Sequence, residues 1–473
     1  MQISRATGGR QGCSACPLLL LTLLLGSMVA YGAGAAESSF ADPIVLGKAV
    51  VVLNGPWKFH AGDDIRWREP DFDDSQWESV DLTPEEGAHD SDVGLTGYVP
   101  GWQVRGHRGY SGYGWYRARV SIESAPGEAL ALSGPPYVDS AYQVFSNGRL
   151  VGEFGDFSDP TPTAYGIHRP KLFPLGAGEV SPVEHQNGYV IAFRVWMGAW
   201  MLRDPESGGI HIAPSLGTSA GANGVFQAQR WETIRGYLVD AAEAVIFWLL
   251  AVMTCSLIPF DRSNPAYRWM AAALVFIGIA RANQTVFFCW EFESFRGFEL
   301  TTVVLMIPLS LGAWTQAWYY WVRPKNCAWL PAAVGILTLV YMTLEALRRS
   351  WFYGVFPHSF EAAVRFCSMS ARLIFLILTL LILFRTLVQR SRAKWLESAS
   401  ILLLSVGLFA AELSLIHIPG IWFPFGVGVS RTEYAYAAFD LVLVALLLRR
   451  LYSFRVENLM SVKETSGKGP TAD

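Results

Sequence analysis

The chain is poor in charge. Of its 473 residues, 16% are Asp, Glu, Lys or Arg, well under the roughly 25% of an ordinary soluble domain. That scarcity, with 14% aromatic residues, excludes a disordered or nucleic-acid-coating protein, because both need charge and few aromatics. Cysteine is also sparse. There are six, and none lies between residues 37 and 230, so the first large region must be held by its core and not by disulfides. Lysine is missing from every long apolar segment described below, which rules out a retinal Schiff base in the last of them.

Apolar residues are abundant, at 52%, and mean hydropathy is +0.27. The net charge of −3 hides an asymmetry. Residues 37–215 hold 24 acidic and 13 basic side chains, whereas residues 216–473 hold 16 and 22. An acidic first part and a basic, apolar second part imply two different solvents for one chain.

At the N-terminus, Arg5 and Arg10 precede an apolar run through Pro17–Leu25 to Ala30 and then Ala33-Gly34-Ala35. This is the pattern of a secretory leader over residues 1–36, too short in its apolar core for a spanning helix. The Cys13–Cys16 pair falls inside it and is given no redox role. Residues 37–213 are then expected to be exported. They read as short period-two runs, such as Trp115–Val120, Ala141–Phe145 and Tyr189–Trp196, with Asn147-Gly148 as a hairpin turn. Many short strands without helical periodicity predict a β-sandwich of jelly-roll type.

Two features of this region could carry chemistry. Asp71, Asp73 and Asp74 beside Trp77 could form an acidic cluster, but an Asx-turn that docks Trp77 is the stronger reading. The stretch Tyr98–Trp115, with Gly97 just before it, places Trp102, Tyr110 and Tyr113 among six glycines with Arg105 nearby. Such a loop can stack a sugar ring and bond its hydroxyls, or can pack against its own sandwich. Trp102, Arg105, Tyr110 and Tyr113 are the candidate ligand contacts. The histidines show no metal spacing, so neither a metal nor a cofactor is assigned.

The segments Asn54-Gly55-Pro56-Trp57-Lys58-Phe59, Asp71–Trp77 and Gly114-Trp115-Tyr116-Arg117, with Asn147-Gly148 before Val151-Gly152, resemble the sugar-binding jelly roll of family 2 glycoside hydrolases. The resemblance implies a galactose-binding-like fold. It does not imply hydrolysis, since in those enzymes the acid pair lies on a separate barrel.

From residue 234 to 451 the chain offers seven apolar segments, near 237–260, 267–288, 299–321, 329–346, 361–388, 395–418 and 432–451, after an expected linker at 214–233. Each approaches the roughly 20 residues needed to cross a bilayer. The expected inside flanks, among them Arg262, Arg323, Arg385, Arg449 and Arg450, carry more Lys and Arg than the outside flanks, which puts the N-terminus out. Within the spans lie Asp240, Glu243, Arg281, Arg365, Arg372, Glu412 and Asp440. Buried charges in lipid must pair, so these are candidates for an interhelical ion-pair switch or for a static structural network.

A leader, a jelly-roll-like domain, the junction Gly208–Gly217 and seven spans in this order resemble bacterial seven-transmembrane receptors with diverse intracellular signalling modules. The resemblance implies no catalysis by the chain itself, a bacterial inner-membrane location with the sandwich periplasmic, a small-molecule or carbohydrate ligand and no nucleic acid. Such receptors usually continue into a kinase, cyclase or phosphatase. Here the expected tail, 452–473, is too short for one, so a separate cytoplasmic signalling protein or a truncated receptor is expected. A transporter or membrane enzyme using the charged cluster is the alternative.

Overall fold

The computed structural model describes residues 50–91, 94–121, 128–165, 169–177, 188–324, 327–388, 394–414, 421–422 and 429–467. The expected leader, with Cys13 and Cys16, lies outside the described residues.

The first half is a sandwich of two antiparallel sheets. Its strands are β1 (Val50–Val52), β2 (Trp57–Ala61), β3 (Glu78–Val80), β4 (Gly112–Ser121), β5 (Ala129–Ser133), β6 (Ala141–Ser146), β7 (Arg149–Phe154), β8 (Leu172–Ala177), β9 (Gly188–Met197) and β10 (Ser215–Thr218). One sheet has the order β1-β10-β5-β8 and the other β3-β2-β4-β9-β6-β7. Alternation does the sorting. Trp57, Phe59, Tyr116, Tyr142 and Phe193 point inward to meet Leu130, Leu132, Phe173 and Leu216 of the facing sheet. The Asn147-Gly148 hairpin forms as expected, with both residues at positive φ (47° and 79°) between β6 and β7.

The outer face of the six-stranded sheet is covered by the chain between β2 and β3. Trp67 and Phe72 from that segment, with Trp77, pack on Trp115, Phe145 and Ala192. Asp73 makes the Asx-turn, its carboxylate accepting from the Ser75 amide at 3.0 Å. Asp74 does something else. It is buried and accepts from Arg117 Nε at 2.9 Å and from Arg119 Nη1 at 2.6 Å. Arg117 also donates to the carbonyls of Trp67 and Glu69. The Asp71–Trp77 and Gly114–Arg117 segments thus meet in one buried ion pair.

The second half is helical. Helices α1 (Ser219–Cys255), α2 (Ala266–Cys289), α3 (Phe295–Val322), α4 (Leu330–Leu347) and α5 (His358–Val388) are long and apolar enough to cross a membrane. They are followed by the shorter α6 (Trp395–Leu408), one further turn at Ala410–Ser414, and α7 (Arg431–Gly467). The burial pattern of α1 is that of a membrane helix. Tyr237, Asp240, Ala244, Phe247, Ala251 and Thr254 form a buried stripe at spacings of three and four. The opposite face is just as greasy, with Leu238, Val245, Ile246, Leu249 and Val252 all exposed; water would not tolerate so long a stripe. In α3, residues Glu299–Met306 are wound as a π-helix immediately before Pro308, whose missing N–H loosens the ladder at that point.

Residues 214–233 do not form the expected linker. Leu216 pairs with Leu132 of β5 and with Val51 of β1, and β10 passes at Thr218 directly into α1. The Thr218 hydroxyl caps the helix, accepting from the Gly221 amide at 3.1 Å. The strand signal was missed because four residues, Ser-Leu-Gly-Thr, are too few to show a period.

Replacing Asp74 by Ala leaves Arg117 buried without its counter-charge. We expect a loss of about 3 kcal/mol or more, seen as a lowered unfolding midpoint in tryptophan fluorescence, to which Trp67, Trp77 and Trp115 report.

Candidate functional site

The glycine-rich loop is folded onto the sandwich. Trp102 is 1% exposed, stands against Phe59 at 5.8 Å between ring centroids and donates from Nε1 to the Tyr110 carbonyl at 3.3 Å. Gln103, which no pattern in the sequence singled out, ties the loop by donating to Tyr110 O at 2.7 Å and accepting from the Gly109 amide at 2.7 Å. Arg105 is spent on the carbonyls of Pro100 and Asp81, at 2.9 and 2.8 Å. Tyr110 donates to Tyr113 O at 2.6 Å. Only Tyr113 joins a polar row on the outer sheet face. The Arg194 guanidinium lies 4.1 Å from its ring centroid and is held by Asp63 at 2.6 Å and Gln143 at 2.9 Å, and Gln143 reaches Glu153 at 3.0 Å. Tyr113, Arg194, Gln143 and Glu153 alternate with core residues on β4, β9, β6 and β7, so a period-two reading assigns them to the surface without showing that they meet.

The junction before β10 is a second centre. Gly208 and Gly209 have φ of 111° and 89°, and a Cβ there would fall on the Trp102 indole and the Tyr116 hydroxyl respectively. This close passage places His211 in the interior, 1% exposed. Its Nδ1 faces Val99 O at 2.9 Å and its Nε2 faces Asp139 Oδ2 at 3.0 Å, with Tyr98 stacked on it at 5.1 Å. Two acceptors on two ring nitrogens require both to carry protons. Burial opposes that charge, but the Asp139 carboxylate outweighs it and raises the imidazolium above its usual 6.5.

Between sandwich and helices the contacts are direct. Leu95 and Ile212 pack on Tyr237 of α1, beside Tyr137, Phe288 and Cys289. Arg169, 7% exposed, donates to the carbonyls of Phe287, Phe288 and Trp290 at the end of α2. The Phe295 amide, opening α3, bonds to Ala164 O at 2.9 Å.

Among the helices, the charges expected to pair do so in two groups. Arg281 of α2 meets Asp240 at 2.6 Å and Glu243 at 3.1 Å, both on α1, and Glu433 of α7 at 3.4 Å, under the Tyr436 ring. Carboxylate oxygens of the three acids lie within 4.8 Å of one another, a spacing that a cation could use. Here Arg281 is the cation among them. Arg372 of α5 pairs with Glu412 and donates to Leu408 O at 2.6 Å, with the Tyr341 hydroxyl of α4 at 3.5 Å. A cavity of about 240 Å³ separates these groups, lined by Arg281, Gln284, Thr302, Ser310, Arg372 and Tyr436 among others.

Two expected members stand apart. Asp440 is buried, and among the described residues it makes no ion pair and its Oδ1 has no hydrogen-bond partner. Arg365 is exposed and lines an outer cavity with Arg348, His358 and Glu361. A third centre was missed. Glu345 of α4 binds Arg348 at 2.8 Å and Arg349 at 2.6 Å, and Glu299 of α3 accepts from the Ser350 amide at 3.1 Å. Glu299 and Glu345 lie at the edges of their apolar segments, where a carboxylate reads equally well as a solvated end.

No family model matches the sequence, and no curated protein matches it. Solved structures similar to part of the chain include a calcium-binding mutant of Bacteroides uniformis β-glucuronidase 2, at 20% identity and a TM-score of 0.24, covering 35% of this chain and 17% of that one. A β-glucuronidase from glycoside hydrolase family 2 gives 18% and 0.26, covering 37% and 18%. Ruminococcus gnavus β-glucuronidase gives 14% and 0.21, covering 33% and 23%. The chain thus spans less than a quarter of the length of these enzymes.

Two outcomes follow from the geometry. Because the His211 pair raises the folded-state value above the unfolded 6.5, its stabilisation is complete below about pH 6.5 and is lost as pH rises through the folded value. The melting midpoint should fall over that interval in the wild type, and this component should vanish in His211→Gln. Arg281→Met strands the buried Asp240 and Glu243 and the half-buried Glu433 and should cost about 3 kcal/mol or more, read as lower thermal stability in detergent.

Proposed function

We propose that the chain is a receptor in which α6 and α7 complete seven spans, the sandwich faces the outside and the C-terminus faces the cytoplasm of a bacterial cell. A small ligand, with carbohydrate the first class to try, binds the sandwich, and a separate cytoplasmic signalling protein reads the bundle. The observation that carries this reading is the unbroken passage from β10 into α1, the helix that presents Asp240 and Glu243 to Arg281. A ligand shifts such a system only through different affinity for two arrangements. With Trp102 and Arg105 engaged internally, the ligand would meet Tyr113 and the edge of Tyr110, beside Arg194 and Asp63. The chain's own catalytic residues are not assigned.

A second reading, a transporter or membrane enzyme, is favoured by one feature, the cavity lined by both Arg281 and Arg372. It requires the ligand to enter the bundle.

A glycan and small-molecule screen on the full protein in nanodiscs, read by thermal shift, identifies the ligand. Inserting two glycines between Thr218 and Ser219 should then leave ligand affinity unchanged and abolish the ligand-induced signal of a fluorophore at Tyr452. Persistence of that signal in the insertion variant sinks the relay. Uptake of the ligand by proteoliposomes establishes the transporter instead.

A further inference from the structure

Where the sandwich meets α1 and α2 there is a cavity of about 290 Å³ lined by Arg169, Lys171, Phe226, Arg230, Trp290 and Glu291, among others. Its charge is lopsided. Three cations face one carboxylate, and among the described residues the ion pair they make with it is Lys171 to Glu291 at 3.8 Å. Arg230 of α1 makes no ion pair or hydrogen bond among the described residues and is exposed. Arg169 is more than nine-tenths buried, yet among the described residues its guanidinium is met by backbone carbonyls and by no carboxylate within ion-pair distance. Among the same residues its buried Nη1 has no hydrogen-bond partner. Burial pulls this guanidinium down to about 10, against the opposing field of Glu291. An arginine held this way lacks its anion.

We propose that this cavity binds a phosphate group, with Arg169 Nη1, Arg230 and Lys171 as its donors. A tetrahedral oxyanion suits three cations arriving from three directions, and guanidinium groups match phosphate geometry. The remaining walls, Phe226, Ile234 and Trp290, are apolar. The cavity lies beside exposed Trp231 and Leu238 on α1 and exposed Trp290 after α2, aromatic and aliphatic groups of the kind found where a bilayer meets water. The phosphate can therefore belong to an anionic lipid headgroup, whose chains would run along α1, or to a soluble phosphate ester. In either case it would clamp the sandwich to the ends of two helices, because Arg169 holds both the anion and the α2 carbonyls. The site does not depend on the receptor reading.

Arg169 itself holds α2, so the test spares it and uses Arg230→Gln with Lys171→Gln. Full-length protein is melted in nanodiscs of phosphatidylcholine with and without phosphatidylglycerol, and in neutral detergent with and without glycerol 3-phosphate. The wild type should gain several degrees from at least one phosphate-bearing probe. The double variant should match the wild type in neutral lipid and lose that gain. A gain from phosphatidylglycerol alone assigns a lipid, and a gain from glycerol 3-phosphate assigns a soluble ester. The proposal is overturned if neither probe shifts the wild type, or if the variant shifts equally.

Discussion

The helical half depends on Arg281. Lipid chains are as apolar as leucine, so helices in a bilayer gain little from hiding hydrophobic faces against each other. Specific contacts must decide which helices adjoin, and a charge left alone in hydrocarbon costs several kcal/mol. Arg281 meets that constraint by drawing Asp240 and Glu243 of α1 and Glu433 of α7 around one guanidinium, which fixes the first, second and last helices to one another. Arg372 does the same for α5 and the end of α6, with Tyr341 bringing in α4. Glu345 and Glu299 tie α3 and α4 to the loop between α4 and α5. Around these centres the packing is ordinary, with Phe247, Trp314, Phe375 and Phe439 in one continuous core.

The sandwich follows a different rule, since its core needs no charge. Where charge is buried there, it fastens a covering segment, as Asp74 does through Arg117, or a crossing, as Asp139 does through His211. Both acids sit at places where the chain leaves the sheet and must be held down. The Gly208-Gly209 passage and His211 lie just before β10, so the most constrained backbone of the sandwich is also the part nearest α1. The passage of β10 into α1 then makes the seam stiff, and Arg169 adds a second attachment at the end of α2.

Much of this was legible in the residues. Period-two runs located the long strands, Asn147-Gly148 its hairpin and the apolar segments their helices, because each of those signals is local. That charges within the spans should pair followed from the cost of charge in lipid, but not which of them would meet. What could not be read was adjacency between distant segments. Nothing near Asp74 names Arg117, 43 residues away, and nothing near Arg169 names the carbonyls of Phe287 and Trp290, which are backbone atoms without a sequence signature. Trp102 shows the opposite error. An aromatic residue among glycines suggests an open binding loop, whereas here the glycines let the backbone approach closely enough for the indole to enter the core. Asp440, buried without an ion pair among the described residues, is a charge that the two centres do not account for.

These attachments restrict how the two halves can communicate. Helix α1 is fixed at its start by the pairing of β10 with β1 and β5 and lower down by two salt bridges to Arg281. A tilt of the sandwich must therefore either carry α1 and Arg281 together or break the salt bridges. Breaking them strands buried charges at a cost of about 3–5 kcal/mol, at or above a typical coupling energy of about 1–3 kcal/mol. Carrying α1, α2 and Arg281 together is the cheaper course, although α7 also packs on α6, where the Tyr436 ring lies against Gly407. The cavity of about 240 Å³ lies between the Arg281 and Arg372 centres. Its walls come from α2, α3, α5, α6 and α7 alike, so any rearrangement at one centre meets close-packed side chains that the other holds.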